Sequence, residues 1–208
     1  NDLIYVAGKV LAHSAINLYG TDSALDLDFG GLLETTVGNI ILNPGVATVI
    51  KGDLDAGGDV EIHAGHTLEL RGLITAGNNV IITAGTTLNP GEVSLQTYDT
   101  SVINSIDGNG TISLIGYNDV VINSLIGSGS VGLKLMHLEA THGTLTINSA
   151  SGVINTDGRL VVVAEDLNLA GVITSTASTG NPNDYDVDIT VGGDIDLQNN
   201  LSFSGSLA

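Results

Sequence analysis

The sequence predicts an all-β fold, a right-handed parallel β-helix with about 20 residues per rung and little or no α-helix. The first observation is a period, because the turn-strand-turn segments 37–45, 57–65 and 77–85 follow one another at a constant interval. The second is that glycine and asparagine cluster at the boundaries of short apolar segments. The third is the alternation of apolar and polar residues within those segments, with no helical periodicity. Each repeat therefore predicts one rung of a solenoid.

One repeat supplies three short strands and three corners. In the repeat that begins at residue 53, we predict a strand over 53–56, a corner at 57–59, a second strand over 60–64 and a third over 67–70. A rung must turn sharply at each corner, and glycine takes the positive φ that we expect there without steric cost. The glycines thus mark strand boundaries and do not form a flexible linker.

Alternation within the strands predicts which side chains face the core. In segments 25–29, 145–147, 187–191 and 195–197, apolar residues share one face and polar residues share the other. We expect the apolar residues to point inward, as in a strand with one buried face. Right-handedness follows from the preferred hand of parallel crossover connections.

We predict a single β-helical segment over 1–208 and no division into separate domains. The repeats are regular over 33–90 and looser over 97–200, where loops of different length interrupt the corners. The main insertion is predicted at about 175–186, which is polar. At about 20 residues per rung, 208 residues make about ten rungs, with a length of about 50 Å.

A second recurring pattern lies in the looser part of the chain. Segments 103–105, 122–124 and 147–149 each read Ile-Asn-Ser, although the spacing between them varies. Asparagines that stack in successive rungs can form ladders of side-chain amides. The pattern therefore predicts an amide ladder between rungs.

Composition restricts the class of protein. Hydrophobic residues make up 42% of the chain and aromatic residues only 3%, so the core is predicted to be aliphatic. Five Lys and Arg residues stand against 23 Asp and Glu, and the net charge of −18 argues against nucleic acid and anionic lipid as partners. Cysteine is absent, which excludes disulfides and thiolate metal sites. No apolar run approaches the roughly 18 residues of a membrane helix.

Segments 54–65 and 74–85, with their Leu-Asp-Ala-Gly-Gly-Asp-Val-Glu-Ile-His-Ala-Gly and Ile-Thr-Ala-Gly-Asn-Asn-Val-Ile-Ile-Thr-Ala-Gly sequences, resemble the repeats of filamentous-haemagglutinin-like bacterial exoproteins. The resemblance is clearest over 33–90. It implies a right-handed parallel β-helical shaft, display outside the cell on a bacterial surface, and a role in adhesion or aggregation. It also implies a receptor on a host surface or matrix as a partner.

Alternating carboxylates form one candidate metal site. Asp184, Asp186 and Asp188 would share one face of a strand, and Ca²⁺ takes several oxygen ligands. The alternative interpretation is a solvated acidic face on which like charges are tolerated. No other cofactor is predicted. His63 and His66 lie on either side of a corner without a third ligand nearby, and we interpret them as surface histidines.

An enzyme is not expected, although parallel β-helices also serve as polysaccharide lyases and hydrolases. Such enzymes use paired carboxylates on an outer sheet, and the pairs Asp26/Asp28 and Asp53/Asp55 offer two candidates. The few cations are scattered along the chain, and Trp, which would provide a sugar platform, is absent. A carbohydrate-active enzyme or a polysaccharide-binding domain remains the alternative function.

The sequences at the two ends of the chain indicate the function that we favour. Neither 1–6 nor 201–208 has the pattern of an amphipathic capping helix, and both are predicted to form strands. The chain begins without an initiator methionine, so we expect a processed product or a piece of a longer protein. Because open β-edges pair with further strands, we expect the ends to stack on other rungs, of the same polypeptide or of a like subunit. The predicted function is an extracellular structural or adhesive rod or fibre.

Overall fold

A computed structural model describes residues 2–86, 92–106, 108–127, 133–148, 151–175 and 187–198, together with the backbone of 201–203. These residues form 24 β-strands and contain no helix. Every strand pairing is parallel, and the chain winds repeatedly through three sheet faces in the same order. The predicted all-β parallel solenoid is therefore confirmed, while its right-handedness stays a prediction.

The strands form three stacks, which we call the first, second and third faces. The first face contains β1 (Asp2–Val6), β4 (Ser23–Leu27), β7 (Thr48–Ile50), β10 (Leu68–Leu70), β13 (Val93–Thr97), β16 (Asp119–Ile122), the C-terminal parts of β18 (Leu135–Ile147) and β20 (Arg159–Leu169), and β23 (Ile195–Leu197). The second face contains β2 (Lys9–Ala12), β5 (Leu32–Thr35), β8 (Asp53–Ala56), β11 (Leu73–Ala76), β14 (Val102–Ser105), β17 (Leu125–Ile126), β19 (Val153–Thr156), β21 (Val172–Ser175) and β24 (Leu201–Phe203). The third face contains β3 (Ile16–Gly20), β6 (Ile40–Pro44), β9 (Val60–Ala64), β12 (Val80–Ala84), β15 (Thr111–Gly116), the N-terminal parts of β18 and β20, and β22 (Val187–Val191).

The number of rungs corrects the sequence prediction. The second face stacks nine strands within the described residues, not ten, and its end strands are about 38 Å apart at about 4.8 Å per step. Ile40, Val60 and Val80 pair in successive rungs, as the predicted period requires. The next step, from Val80 to Ile112, is longer, and a rung contains about 24 residues on average. Added corner residues account for the smaller number of rungs.

Two long strands pass from one rung into the next. β18 and β20 each run along the third face, cross the corner and continue on the first face. In β18 the register shifts between Ala140 and Thr144, which is where the strand bends around the corner. A corner can therefore be made by an irregularity in a continuous strand as well as by a glycine turn.

The core is a set of aliphatic columns, as the alternation predicts. On the second face the inward side chains stack directly on one another in register and are almost completely buried. The column consists of Leu33, Leu54, Ile74, Ile103, Ile126, Ile154 and Ile173. Because each member lies between its neighbours above and below, only rungs at the ends leave this core open.

The corner glycines have a different cause from the one predicted. Among the described residues, positive φ occurs only at Gly30, Gly85 and Gly127. Gly77 does not have positive φ, yet a Cβ atom there would lie 2.1 Å from the carbonyl oxygen of Gly57 in the previous rung. The expectation of positive φ at most corners was wrong. Stacked corners need glycine because successive backbones approach too closely for a side chain.

Candidate functional site

The first rung leaves part of the core uncovered. Within the described residues β1, β2 and β3 pair on one side only, with β4, β5 and β6. Val10 takes the same core position as Leu33, its partner in the next rung. Leu33 is fully buried, whereas Val10 is 41% exposed. A side chain suited to the interior therefore faces solvent because nothing stacks on it.

The last described rung shows the same feature. Ile195 pairs with Leu167, and Leu197 pairs with Leu169, so both β23 side chains continue inward-facing columns. Leu167 and Leu169 are buried, but Ile195 and Leu197 are 53% and 51% exposed. The alternation at 195–197 was predicted to bury these two side chains, and that expectation was wrong among the described residues. Burial needs a further rung as well as the correct register.

The two ends together form the strongest candidate site. An unpaired edge strand presents a row of backbone donors and acceptors that can pair with another strand. Here that edge lies beside exposed apolar side chains at core positions, including Val10 and Leu197. Hydrogen bonds and apolar burial would thus both favour the addition of a parallel rung.

A charged cluster lies on the first face near the N-terminal end. The Tyr5 hydroxyl donates a hydrogen bond to Asp28 Oδ2 at 2.7 Å, and the Phe29 N–H donates to Asp28 Oδ1 at 2.8 Å. Lys51 Nζ lies 3.0 Å from Asp26 Oδ1 and 3.7 Å from Asp28 Oδ1. The predicted pair Asp26/Asp28 is therefore bound by groups 23 and 25 residues away in sequence. The cluster links three successive rungs.

These contacts shift the pKa values of the cluster. The hydrogen bond from Tyr5, followed by the one from the Phe29 N–H, lowers the pKa of Asp28. The same bond to Asp28 raises the pKa of Tyr5, because loss of the phenolic proton would place two negative charges side by side. The hydrogen bond to Asp26 raises the pKa of Lys51. The lowered pKa of Asp28 and the raised pKa of Tyr5 both favour the hydrogen bond between an ionised Asp28 and a protonated Tyr5 at neutral pH.

Replacing Tyr5 by phenylalanine is expected to raise the pKa of Asp28 toward its ordinary value. A lowered pKa means that the folded state gains stability from ionised Asp28 above about pH 4 and loses it as pH falls through the folded value. The variant should therefore be less stable than the unchanged protein above about pH 4, and the part of the acid-induced loss of stability that comes from Asp28 should shrink. Asp28 side-chain NMR shifts during a pH titration measure the pKa directly.

Tyr19→Phe is the control for this prediction, since Tyr19 lies on the third face, away from Asp28. The pKa of Asp28 should remain unchanged in that variant. An unchanged pKa in Tyr5→Phe would contradict the assigned hydrogen bond.

A second cation forms a similar link at the neighbouring corner. Arg71 Nη2 lies 3.0 Å from Glu69 Oε2, and the guanidinium carbon lies 3.8 Å from the ring centroid of Tyr98. The hydrogen bond to Glu69 raises the pKa of Arg71. Ion pairing and cation–π contact thus join the ends of β10 and β13. Lys51 and Arg71 are scattered in sequence, but each is engaged with an acid in the fold.

Several aspartates accept hydrogen bonds from backbone N–H groups of the next rung and do not pair with cations. Asp53 Oδ1 accepts a hydrogen bond from the Leu73 N–H at 2.9 Å, and Asp119 Oδ1 accepts one from the Thr144 N–H at 2.8 Å. Asp166 does the same for the Asp194 N–H at 2.8 Å. This role was not predicted from the sequence, although the aspartates that directly follow glycine, as in Gly52-Asp53 and Gly58-Asp59, were a usable signal. These carboxylates therefore have a role in the fold that needs no cation.

One corner carries a side-chain ladder across four rungs. Asn39 Oδ1 accepts from the Asp59 N–H at 2.9 Å, and Asp59 Oδ1 accepts from the Asn79 N–H at 3.0 Å. Asn79 Oδ1 then accepts from the Thr111 N–H at 2.9 Å. An oxygen acceptor at this position thus pairs a corner N–H that would otherwise be unsatisfied.

The amide ladder predicted from the repeated Ile-Asn-Ser pattern is present in part. Asn148 Nδ2 donates to Asn123 Oδ1 at 2.6 Å, and Asn123 Nδ2 donates to the Thr97 carbonyl oxygen at 2.8 Å. This ladder fixes the corner between the first and second faces over three rungs. It lies beside the outer surface of the second face.

The predicted calcium residues lie mostly outside the described residues. Asp184 and Asp186 fall in the undescribed segment 176–186, which also contains nearly all of the predicted insertion. Asp188 is on β22 and lies 3.5 Å from Arg159 through its Oδ2 atom. The calcium site stays a prediction. Asp53/Asp55 lie on β8, where Asp53 binds a backbone N–H and Asp55 is exposed.

The predicted surface histidines do not converge on a common site. His63 lies on the third face, with Nδ1 2.9 Å from Thr83 Oγ1 and Nε2 3.6 Å from Glu61 Oε2. His66 follows at the next corner and is half-buried. In the part of the chain that the structure describes, no group of three acidic, histidine or cysteine side chains has the geometry of a metal site.

The chain matches no family model, no curated protein and no solved structure. Among the described residues there is also no helix with the length and apolar character that a membrane span requires. The geometry of the ends and of the outer faces therefore carries the functional argument.

Proposed function

We propose that this chain is a structural segment of an extracellular β-helical rod, to which further rungs are added at both ends. The observation that carries the proposal is the exposure of core-position side chains at each end, Val10 at one and Ile195 and Leu197 at the other. Full burial of an aliphatic side chain contributes about 1.5–3 kcal/mol. The added rungs belong to the same polypeptide or to a like subunit.

The register supports head-to-tail addition. On the first face, inward-facing side chains stack in two columns. These columns begin with Ile4 and Val6 in the first rung and end with Ile195 and Leu197 in the last described rung. Stacking β1 of one rod segment on β23 of another would place Ile4 on Ile195 and Val6 on Leu197 and continue both columns. A head-to-tail contact between like subunits does not close on itself, and it therefore produces a rod.

Gly8 supplies independent support. It occupies the same corner position as Gly31, Gly52 and Gly72 in the following rungs, two residues before paired core side chains. A Cβ atom at Gly52 would lie 2.4 Å from the Gly31 carbonyl oxygen, but a Cβ atom at Gly8 would meet nothing within 4 Å. A glycine is needed at Gly8 only if another rung precedes it.

The cellular setting and the adhesive role are part of the same proposal. They are supported by the resemblance of segments 54–65 and 74–85 to adhesin repeats, and we propose a rod on a bacterial surface that faces a host or matrix receptor. The net charge of −18 suits this setting, because repulsion between acidic surfaces favours solubility.

The test compares assembly of the 208-residue chain with two end variants. In Gly8→Ala the added methyl group would collide with a carbonyl oxygen of the incoming rung. In Val10→Asp a carboxylate would be buried in the shared core. We expect the particles formed by both variants to remain short at concentrations where the unchanged protein forms rods. Negative-stain electron microscopy and sedimentation velocity measure the length and size of the particles. Their monomers should fold normally, since both positions are open in the free first rung.

Leu11→Asp is the matched control, because Leu11 is next to Val10 on β2 but points outward, as shown by its pairing with Glu34. That variant should still form rods. A protein that stays monomeric at all concentrations, with its β2 amides protected from hydrogen exchange, would contradict the proposal.

A further inference from the structure

We propose that the outer surface of the second face binds a second copy of this chain side by side, in an antiparallel two-fold pair. We call this surface the uncharged strip, and it is formed by the outward residues of β11, β14, β17, β19 and β21. One column contains Leu73, Val102, Leu125, Val153 and Val172, and the other contains Thr75, Asn104, Asn155 and Thr174. This contact uses a side of the solenoid and is independent of end stacking.

The strip has a regular composition. Its first column contains only aliphatic residues, which stack in register from Leu73 to Val172. Leu73 is 42% exposed and Val172 is 36% exposed, and the residues between them are half-buried by their neighbours. The second column contains threonine and asparagine. Strips of this kind pack closely against one another as two apposed sheets.

The distribution of charge on the chain favours a second copy as the partner of the strip. The chain carries −18, so two copies repel each other wherever their acidic surfaces meet. None of the outward residues of the strip is charged, although the same face carries Lys9, Glu34, Asp53 and Asp55 in its first three rungs. A second copy can therefore approach on the strip without like-charge contact.

The same charges select the antiparallel arrangement. If two copies packed side by side in the same direction, Glu34, Asp53 and Asp55 of one would face the same residues of the other. In the antiparallel arrangement Leu125 lies near the two-fold axis, and Leu73 of one copy lies near Val172 of the other. The strand β8, with Asp53 and Asp55, then lies opposite β24 of the other copy, which has no charged residue, and the first two rungs extend past the contact. Such a pairing uses the same patch on both copies, as two-fold symmetry requires.

The area of the strip limits how strongly two copies can bind through it. Five strands at about 4.8 Å spacing and about 13 Å of strand length give roughly 250 Å² of flat area per copy. A standard stable interface buries about 800 Å² per partner. One strip should therefore give a weak, concentration-dependent pair. In a rod many strips act together, and lateral association becomes strong through multivalency.

The first experiment is sedimentation equilibrium of the Gly8→Ala chain, in which end stacking is blocked, and of two matched variants made in the same background. Val153→Asp places a carboxylate in the strip, whereas Val161→Asp places one in the same rung on the outward side of the third face. The dimer Kd is expected to rise at least about tenfold in Val153→Asp, because the carboxylate would be buried without a partner, and to stay unchanged in Val161→Asp. Equal weakening in both variants would overturn the assignment of the surface.

Salt provides a second readout of the same association. Raising ionic strength from 0.01 M to 1 M shortens the Debye length from about 30 Å to about 3 Å. Pairing through an uncharged strip should strengthen as repulsion between the two copies is screened. Weaker pairing at high salt, or no pairing at any concentration, would overturn the proposal.

Cysteine cross-linking tests the arrangement, and the chain has no cysteine of its own. Leu125→Cys should form a disulfide-linked dimer, and Leu73→Cys mixed with Val172→Cys should form a heterodimer. End stacking alone gives neither product, so Gly8→Ala, which blocks stacking, should leave both unchanged. Absence of the Leu125→Cys dimer would overturn the surface, and self-linking of Leu73→Cys would overturn the antiparallel arrangement.

Discussion

Gly72→Ala is expected to lower the free energy of unfolding by about 3 kcal/mol, since the added methyl group would overpack a corner where two backbones already lie in close contact. A Cβ atom at this position would lie 1.8 Å from the Gly52 carbonyl oxygen and 2.6 Å from its carbon. Both neighbours are backbone atoms, so a rotamer change cannot relieve the contact. The two rungs must separate at a corner where Gly72 donates a hydrogen bond to Ile50. Urea unfolding followed by circular dichroism measures the loss.

Gly8→Ala is the matched control, because Gly8 occupies the same corner position in the first rung, with open space around it. In dilute solution this change should be neutral or stabilising by up to about 1 kcal/mol, since alanine restricts the unfolded chain. A loss in Gly72→Ala no larger than the change in Gly8→Ala would contradict the explanation of the corner glycines by close approach.

Ile62→Ala is expected to cost about 2–5 kcal/mol, the usual range for truncating a large buried aliphatic side chain. Ile62 is fully buried on β9 and stacks between Leu42 and Ile82 in the neighbouring rungs. The cavity would have no nearby loop to fill it, because every wall is a strand of the solenoid. The loss is measured by equilibrium urea unfolding.

Because rungs contact only their neighbours, a defect at Ile62 should also divide the solenoid into two less coupled halves. Hydrogen exchange should increase most in β6, β9 and β12. Ile41→Ala is the control, since Ile41 is half-buried on the outer side of β6 and should cost less than about 1 kcal/mol. Uniform exchange along the solenoid in Ile62→Ala would contradict the nearest-neighbour description.

The strand pattern could be predicted because it depends on neighbours in sequence. Alternation at Leu25, Asp26 and Leu27 required only the period of two, and the structure buries both leucines and turns the aspartate outward. The regular repeat predicted the correct register from Ile40 to Val80. It did not predict the rung count, because the step to Ile112 is longer and no local rule fixes the length of a corner.

The contacts between rungs could not be predicted in the same way. Tyr5, Asp28 and Lys51 meet only because three rungs stack, and nothing in their local sequence marks one as the partner of another. The hydrogen bond from the Leu73 N–H to Asp53 likewise depends on the register between two rungs. For this reason the acidic composition was interpreted as a charge and not as a set of corner acceptors.

Period and alternation in the sequence were sufficient to predict a parallel β-solenoid with an aliphatic core, because both are properties of the chain that stacking only repeats. The stacked rungs were needed to show which carboxylates bind backbone groups, why corner glycines are required, and which core positions remain exposed. All three depend on the distance from one rung to the next. That distance is set by hydrogen bonds between strands far apart in sequence. Val10 and Leu33 take the same core position, and Val10 is exposed because, within the described residues, no rung stacks on its other side.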